Sequence, residues 1–358
     1  MRAMTGIAGL TSGALRGLAG PKAEKTLSLA LQGGGAHGAF TWGVLDAILE
    51  DGRLAIEAIT GASAGAVNAV VLAEGWLEGG PDGAREQLSQ FWQRVSLDGA
   101  LPAPQRQLFN LLLGSWHLDG SPVHLWLDAW TRVLSPSERN PLDINPLRDA
   151  LKELIDFERV RACLATQLFI SATHVHTGKV KVFERAELTA DHVLASACLP
   201  TIFQAVEIDG EPYWDSGYVG NPALFPLFSQ AHSDDILLVQ INPIERHETP
   251  RTASEIQNRL TEITFNANLL GELRAIEFVR RLIDAGKLSR GDYKRVRMHR
   301  IAGGEELAAF AASSRLTAEW SFFNELKDLG RSAAARWLAA NYDAIGAHAT
   351  LDLRAAYG

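Results

Sequence analysis

Ser63 stands in Gly61-Ala62-Ser63-Ala64-Gly65, between a short β-branched apolar run, Ile56 to Thr60, and a run of small helix formers, Ala64 to Leu72. A serine flanked two residues away on each side by glycine, at the switch from strand to helix, fits a nucleophile elbow. The glycines matter because a sharp strand-to-helix turn brings neighbouring backbone close, and a Cβ there would clash. The hydroxyl would then project at a helix N-terminus, where the dipole favours developing negative charge. Earlier in the chain, Leu27 to Gln32 reads as an apolar strand opening into Gly33-Gly34-Gly35-Ala36-His37-Gly38. Consecutive glycines let backbone N–H groups turn toward one point, a nest for an anion. That anion could be a phosphate or the oxyanion of an acyl transfer.

The same loop also matches a dinucleotide fingerprint, Gly33-x-Gly35-x-x-Gly38, after a strand and before a helix. That reading wants an acidic residue about twenty positions on, at the end of the next strand. Asp51 and Glu57 lie near that distance, but both precede the strand's end. Thr60 stands at that end and the serine turn follows directly. The ribose-binding carboxylate is missing where it is needed.

Two further stretches add to this pair of turns: Asp215 in Tyr213-Trp214-Asp215-Ser216-Gly217, and the block ASACLPTIF from Ala195 to Phe203. With them the sequence resembles the patatin-like phospholipase family. The family's glycine-rich motif is matched by Gly33, Gly34, Gly35 and Gly38. Its nucleophile motif is matched by Gly61 to Gly65, its serine- and proline-containing block by Ser196 to Pro200, and its aspartate motif by Asp215-Ser216-Gly217. The resemblance runs from Thr26 to Pro243 with the motif order in agreement. It implies an α/β fold of three α/β/α layers with a mostly parallel central sheet. It also implies a Ser63–Asp215 dyad and an oxyanion hole built by Gly33, Gly34 and Gly35. Gly38, Gly61, Gly65, Gly217 and Pro200 would support these motifs. Two positions depart from the pattern. His37 stands where the glycine loop usually carries Arg or Lys, and Ser216 replaces a glycine. If that position required positive φ, serine would be strained there.

The elements that must position these residues can be followed along the chain. Residues 1–25 are basic and interrupted by polar residues, and read as a flexible tail rather than a signal peptide. Residues 26–358 read as one patatin-like α/β domain. Gly38 to Glu50 suits a helix packed on the sheet. The Gly/Pro stretch 78–83 breaks the elbow helix before a second one, Ala84 to Val95. Residues 97–141 carry Trp116, Trp126, Trp130 and a Leu/Phe-rich run, and read as a helical insertion or an apolar cover. Asn145-Pro146 caps a helix. A strand, turn and strand follow from Ala165 to Glu184, with His174 and His176 on one face. No third metal ligand is evident near them, so no metal is expected. Thr189 starts a helix ending near Cys198. A hairpin around Asp209-Gly210 delivers Asp215. Asp235 to Asn242 is a buried strand, Tyr293 to Ile301 another, and helices from about residue 251 complete the unit.

Composition sets outer bounds. With 47% hydrophobic and 21% charged residues, the chain has ample core for a globular protein. Its net charge of −8 gives no footing for nucleic acid. Cys163 and Cys198 make no disulfide framework and fit a reducing compartment. No run is long enough to cross a membrane. The expectation is a cytoplasmic serine acyl-ester hydrolase, peripheral at most to a membrane, acting on lipid or acyl-ester substrates without a cofactor. Small esters, thioesters or a polyester would use the same machinery. A conventional triad recruiting His232, His247, His299 or His348, and a non-catalytic lipid-binding scaffold, are the competing readings.

Overall fold

In the computed structural model, which describes residues 17–96, 145–310, 314–315 and 317–357, an eight-stranded sheet forms the middle layer. The strands are β1 (Lys25–Leu31), β2 (Leu54–Ala62), β3 (Gln167–His174), β4 (Val180–Glu184), β5 (Val206–Ile208), β6 (Glu211–Trp214), β7 (Asp235–Gln240) and β8 (Arg297–Ala302). Their order is β5-β6-β3-β2-β1-β7-β8, with β4 also on β3. The run β3-β2-β1-β7-β8 is parallel, and β4, β5 and β6 add antiparallel pairings at one side. Every residue of β2 and β7 is buried. Strands covered on both faces need continuous apolar runs, which is why these segments do not alternate.

Helices cover the two faces. Helix α1 (Gly38–Asp51) and helix α2 (Ala64–Val95) follow the two glycine turns. The stretch expected as a break, 78–83, is a kink inside α2, with non-helical backbone at Gly79 and Gly80 before Pro81. Helix α3 (Ala190–Ser196) precedes the aspartate hairpin, α4 (Ala253–Asp284) follows β7, and α5 (Trp320–Asn341) lies against α1. Gly43 of α1 and Gly330 of α5 let the helices touch, since a Cβ on either would strike the partner's backbone at Lys327 or Phe40. The segment after 251 therefore shares the core that carries the glycine turns.

Within the stretch read as a tail, the fold already holds residue 18. Leu18 is fully buried. Its N–H and C=O exchange hydrogen bonds of 2.8 and 3.0 Å with Ile56. Burying that side chain is worth about 1.5–3 kcal/mol, so the fold takes in Leu18 as well. The cover expected over 97–141 lies outside the described residues. Among the described residues, no helix is long and apolar enough to cross a membrane.

Candidate active site

The sheet register brings the two glycine turns together. β1 and β2 pair in parallel with Leu31 beside Gly61, so both strands end at the same edge. The missing side chain of Gly33 permits contact there, because a Cβ on it would lie 2.6 Å from the Ser63 Cβ. A Cβ on Gly61 would lie 2.7 Å from the Gly65 carbonyl oxygen, and one on Gly65 would strike the Leu31 carbonyl. A Cβ on Gly38 would fall 2.5 Å from that of Ala64. Gly33, Gly38 and Gly65 are thus fixed by contacts between the turns, and Gly61 by the elbow's own backbone.

Ser63 has φ 50° and ψ −119°, immediately before α2. Among the described residues only Ser63 and Asp209 hold positive φ without being glycine. Such backbone costs on the order of 1–3 kcal/mol and persists only where its surroundings impose it. Here the Ser63 N–H donates to Ser196 Oγ at 2.8 Å, and Ser63 is nearly buried.

Asp215 arrives by a different route. β6 pairs with the end of β3, where Thr173 lies beside Trp214. The Thr173 hydroxyl donates to the Asp215 carbonyl at 2.7 Å, and the Asp215 N–H donates to the Cys198 carbonyl at 2.8 Å. The block from Ser196 to Pro200 thereby holds the aspartate backbone. The Asp215 carboxylate accepts from the Gly217 N–H at 2.6 Å, and the Ser63 hydroxyl beside it favours its charged form. The side chain is fully buried, and loss of hydration pushes its pKa from 3.8 up to about 6, against the lowering by Gly217 and Ser63.

Ser216 lies in a buried 3₁₀ turn and is not among the positive-φ residues, so serine is unstrained there. Its hydroxyl bonds the Ser196 carbonyl and hydroxyl oxygens, both at 3.3 Å. Gly217 is the member of this motif that tolerates no side chain. A Cβ there would lie 2.6 Å from the Phe265 ring and 2.8 Å from Asp215 Oδ1.

The glycine loop is held from below by buried amides. Gln32 Oε1 accepts from the N–H groups of Ile241 and Asn242 at 2.9 and 2.8 Å, while its Nε2 donates to Asn266 at 2.9 Å. Asn242 Nδ2 donates to the Gly33 carbonyl at 2.7 Å. The Gly33 N–H donates to Asn221 Oδ1 at 2.6 Å. Of the three amides expected to face an oxyanion, that of Gly33 is therefore engaged by a side chain. Gly35 has φ +60°, and a Cβ on it would strike the Arg315 carbonyl. Sequence reading misses Gln32, Asn221, Asn242, Asn266 and Arg315, which come from separate segments and share no local motif.

His37, at the position usually basic in the resembling family, is buried and neutral. Desolvation, then the charges of Arg315 and Arg246, bring its pKa down to about 3. Its Nε2 pairs with Ser314 Oγ at 2.8 Å. The histidines of a conventional triad lie elsewhere. His299 bonds Asp235, the first residue of β7, at 2.9 Å. His232 precedes β7, and His348 follows Gly346, which donates to the same Asp235. These belong to the opposite end of the sheet from Ser63, and His247 is exposed on the loop after β7. The dinucleotide reading fares no better, since the Thr60 hydroxyl is buried against the Ala223 carbonyl. The third group missing around His174 and His176 comes from Glu211, whose Oε2 lies 2.9 and 3.2 Å from their ring nitrogens.

A serine at a strained strand-to-helix turn, a buried carboxylate and a glycine loop thus meet at one edge of an α/β sheet. Residues 29–228 match the family described as Patatin-like phospholipase, more than half of the chain, and the chain belongs to that family. Membership makes it a carboxylic ester hydrolase of the lipid-degrading kind. Among solved structures it is similar to VipD from Legionella pneumophila, with TM-score 0.35 and 17% identity over 91% of this chain and 72% of that one. It is also similar to ExoU of Pseudomonas aeruginosa, solved with SpcU, with TM-score 0.32 and 14% identity over 95% of this chain and 61% of that one. No curated protein sequence matches the chain.

Proposed function

We propose that the chain hydrolyses acyl esters of lipids through a Ser63–Asp215 dyad, by way of an acyl-enzyme. The observation that carries this reading is the meeting of Ser63, held at positive φ on the strand-to-helix turn, with a fully buried Asp215 carboxylate that the Ser63 hydroxyl stabilises and that burial pushes up to about 6. A carboxylate near its ordinary value is a feeble base toward serine. One near 6 is a better base and is still largely ionised at pH 7.

Ser63 Oγ attacks the ester carbonyl carbon while its proton passes to Asp215. The carbonyl oxygen becomes an oxyanion, met by the N–H groups of Gly34 and Gly35 and by the start of α2. Gly33, whose N–H is given to Asn221, serves instead to let the loop approach Ser63. Collapse of the tetrahedral adduct expels the alcohol, which takes the proton back from Asp215. Water then attacks the acyl-serine with Asp215 again as base. The fatty acid leaves and Ser63 regains its proton. Gly38, Gly61, Gly65, Gly217 and Pro200 act in this scheme by shaping the turns. Contact with a lipid surface is supported by Ile256, Leu260 and Ile263, which form one exposed stripe on α4. The scaffold alternative drew on strain at Ser216, and that motive is absent.

Turnover decides the matter. Wild type is expected to release acid from p-nitrophenyl butyrate and from a lipid ester, with Ser63→Ala and Asp215→Asn each slower by at least a thousandfold. Full activity in either variant would overturn the dyad.

A further inference from the structure

Arg315 is 9% exposed. Its Nε and Nη1 are buried and, among the described residues, have no hydrogen-bond partner. A guanidinium is an obligate cation with five donors, and leaving it buried and unpaired is costly. Glu262, the acid whose charge acts on it, does not relieve it. Both oxygens of Glu262 are taken, one by Arg246 at 2.7 Å and the other by Arg259 at 3.0 Å. Glu262 is thus committed to Arg246 and Arg259, and the neutral His37 near Arg315 adds no negative charge.

The position of this buried guanidinium is specific. The Arg315 carbonyl packs on Gly35 of the glycine loop. Its guanidinium carbon lies 6.0 Å from the centre of the Phe265 ring. That ring is the one that packs on Gly217, directly after Asp215. The residue thus packs on the glycine loop with its backbone and reaches, with its guanidinium, the ring that packs on the aspartate turn. This chain places no cation on the loop itself, where His37 is buried.

We infer that Arg315 forms an anion subsite that binds a phosphate group carried by the ester substrate close to the scissile bond. The inference rests on the acyl-hydrolase reading above and adds to it a residue that selects phosphate-bearing over neutral esters. A planar guanidinium meets two phosphate oxygens at once, which an ammonium or an imidazole does not.

The test uses the full chain and two soluble substrates with the same acyl groups, dihexanoyl phosphatidylcholine and dihexanoylglycerol, so that binding to a lipid surface plays no part. Wild type is expected to prefer the phosphate-bearing ester. In Arg315→Gln the ratio of the two kcat/KM values should fall at least tenfold, mainly through KM for the phospholipid, with Arg315→Lys intermediate. Equal losses on both substrates would overturn the subsite and make Arg315 a support of the glycine loop. An unchanged ratio would overturn it as well. If Arg315→Gln does not fold, Arg315→Lys carries the same ratio test, with melting curves confirming that it is folded. Glycerol 3-phosphate should compete with the phospholipid in wild type and at least tenfold more weakly in Arg315→Lys. Inhibition by inorganic phosphate with no change in substrate ratio would mean a site for the free ion, against the proposal. Should wild type turn over neither substrate and take no fluorophosphonate label, the hydrolase reading itself falls, and the subsite with it. Label and ester turnover without dependence on Arg315 would sink the subsite alone.

Discussion

Replacing Asp215 by asparagine should stabilise the protein at neutral pH while abolishing turnover, and the gain should follow a defined pH curve. The shift of the carboxyl from 3.8 to about 6 is a roughly hundredfold change in proton affinity, about 3 kcal/mol at 1.36 kcal/mol per tenfold. Its sign follows from linkage. Native Asp215 holds its proton more tightly than the unfolded chain does. Between pH 4 and 6 the native state then binds more protons, and stability falls as pH rises through that window. Asparagine has the same shape, its Oδ1 still accepts from the Gly217 N–H, and it never ionises. The stability of Asp215→Asn minus that of wild type, from urea unfolding at fixed pH, should be near zero at pH 4 and rise to about 3 kcal/mol by pH 7. His37, buried neutral with a pKa of about 3, weakens both proteins below pH 6.5 and cancels in the difference. A flat difference across pH, or a less stable Asp215→Asn at pH 7, would refute the claim that burial charges this carboxylate at a cost.

Ser196→Ala removes the acceptor of the Ser63 N–H, and should cost about 1–3 kcal/mol in urea unfolding while lowering kcat more than it raises KM. Gly35→Ala forces a side chain into positive φ and against the Arg315 carbonyl. It should lose at least a hundredfold in ester turnover and melt several degrees lower by calorimetry. Ser63→Gly and Ser63→Ala both remove the hydroxyl, but only glycine relieves the positive φ. The glycine variant should be the more stable by about 1 kcal/mol in urea.

The parts of the site that the sequence made legible are contiguous. The elbow and the glycine loop each fit within six residues, because a strand, a sharp turn and a helix are local devices. Their parallel pairing through β1 and β2 follows from two strand–helix units in immediate succession. Asp215 was legible only through resemblance, since a lone aspartate before Ser-Gly reads equally as a turn former. The amides of Gln32, Asn221, Asn242 and Asn266, and the guanidinium of Arg315, were not legible. They meet only once β7, α4 and the segment before α5 have packed together, and nothing in their neighbours' spacing marks them. The same cause explains Leu18, one of several apolar residues scattered through the N-terminal stretch, which finds its partner at Ile56. It also explains Glu211, which reaches His174 and His176 only after β6 pairs with β3.

The dyad is tested most directly by the rate at which a fluorophosphonate labels the protein as a function of pH, read by intact mass. Wild type should take one adduct, absent from Ser63→Ala, with a rate that rises through a midpoint near 6 and levels off above pH 7, because Asp215 must be ionised to accept the serine proton. Labelling of Asp215→Asn should be slower by at least a hundredfold at every pH. A wild-type rate that rises through a midpoint near 4, or an Asp215→Asn variant labelled as fast as wild type, would contradict the account.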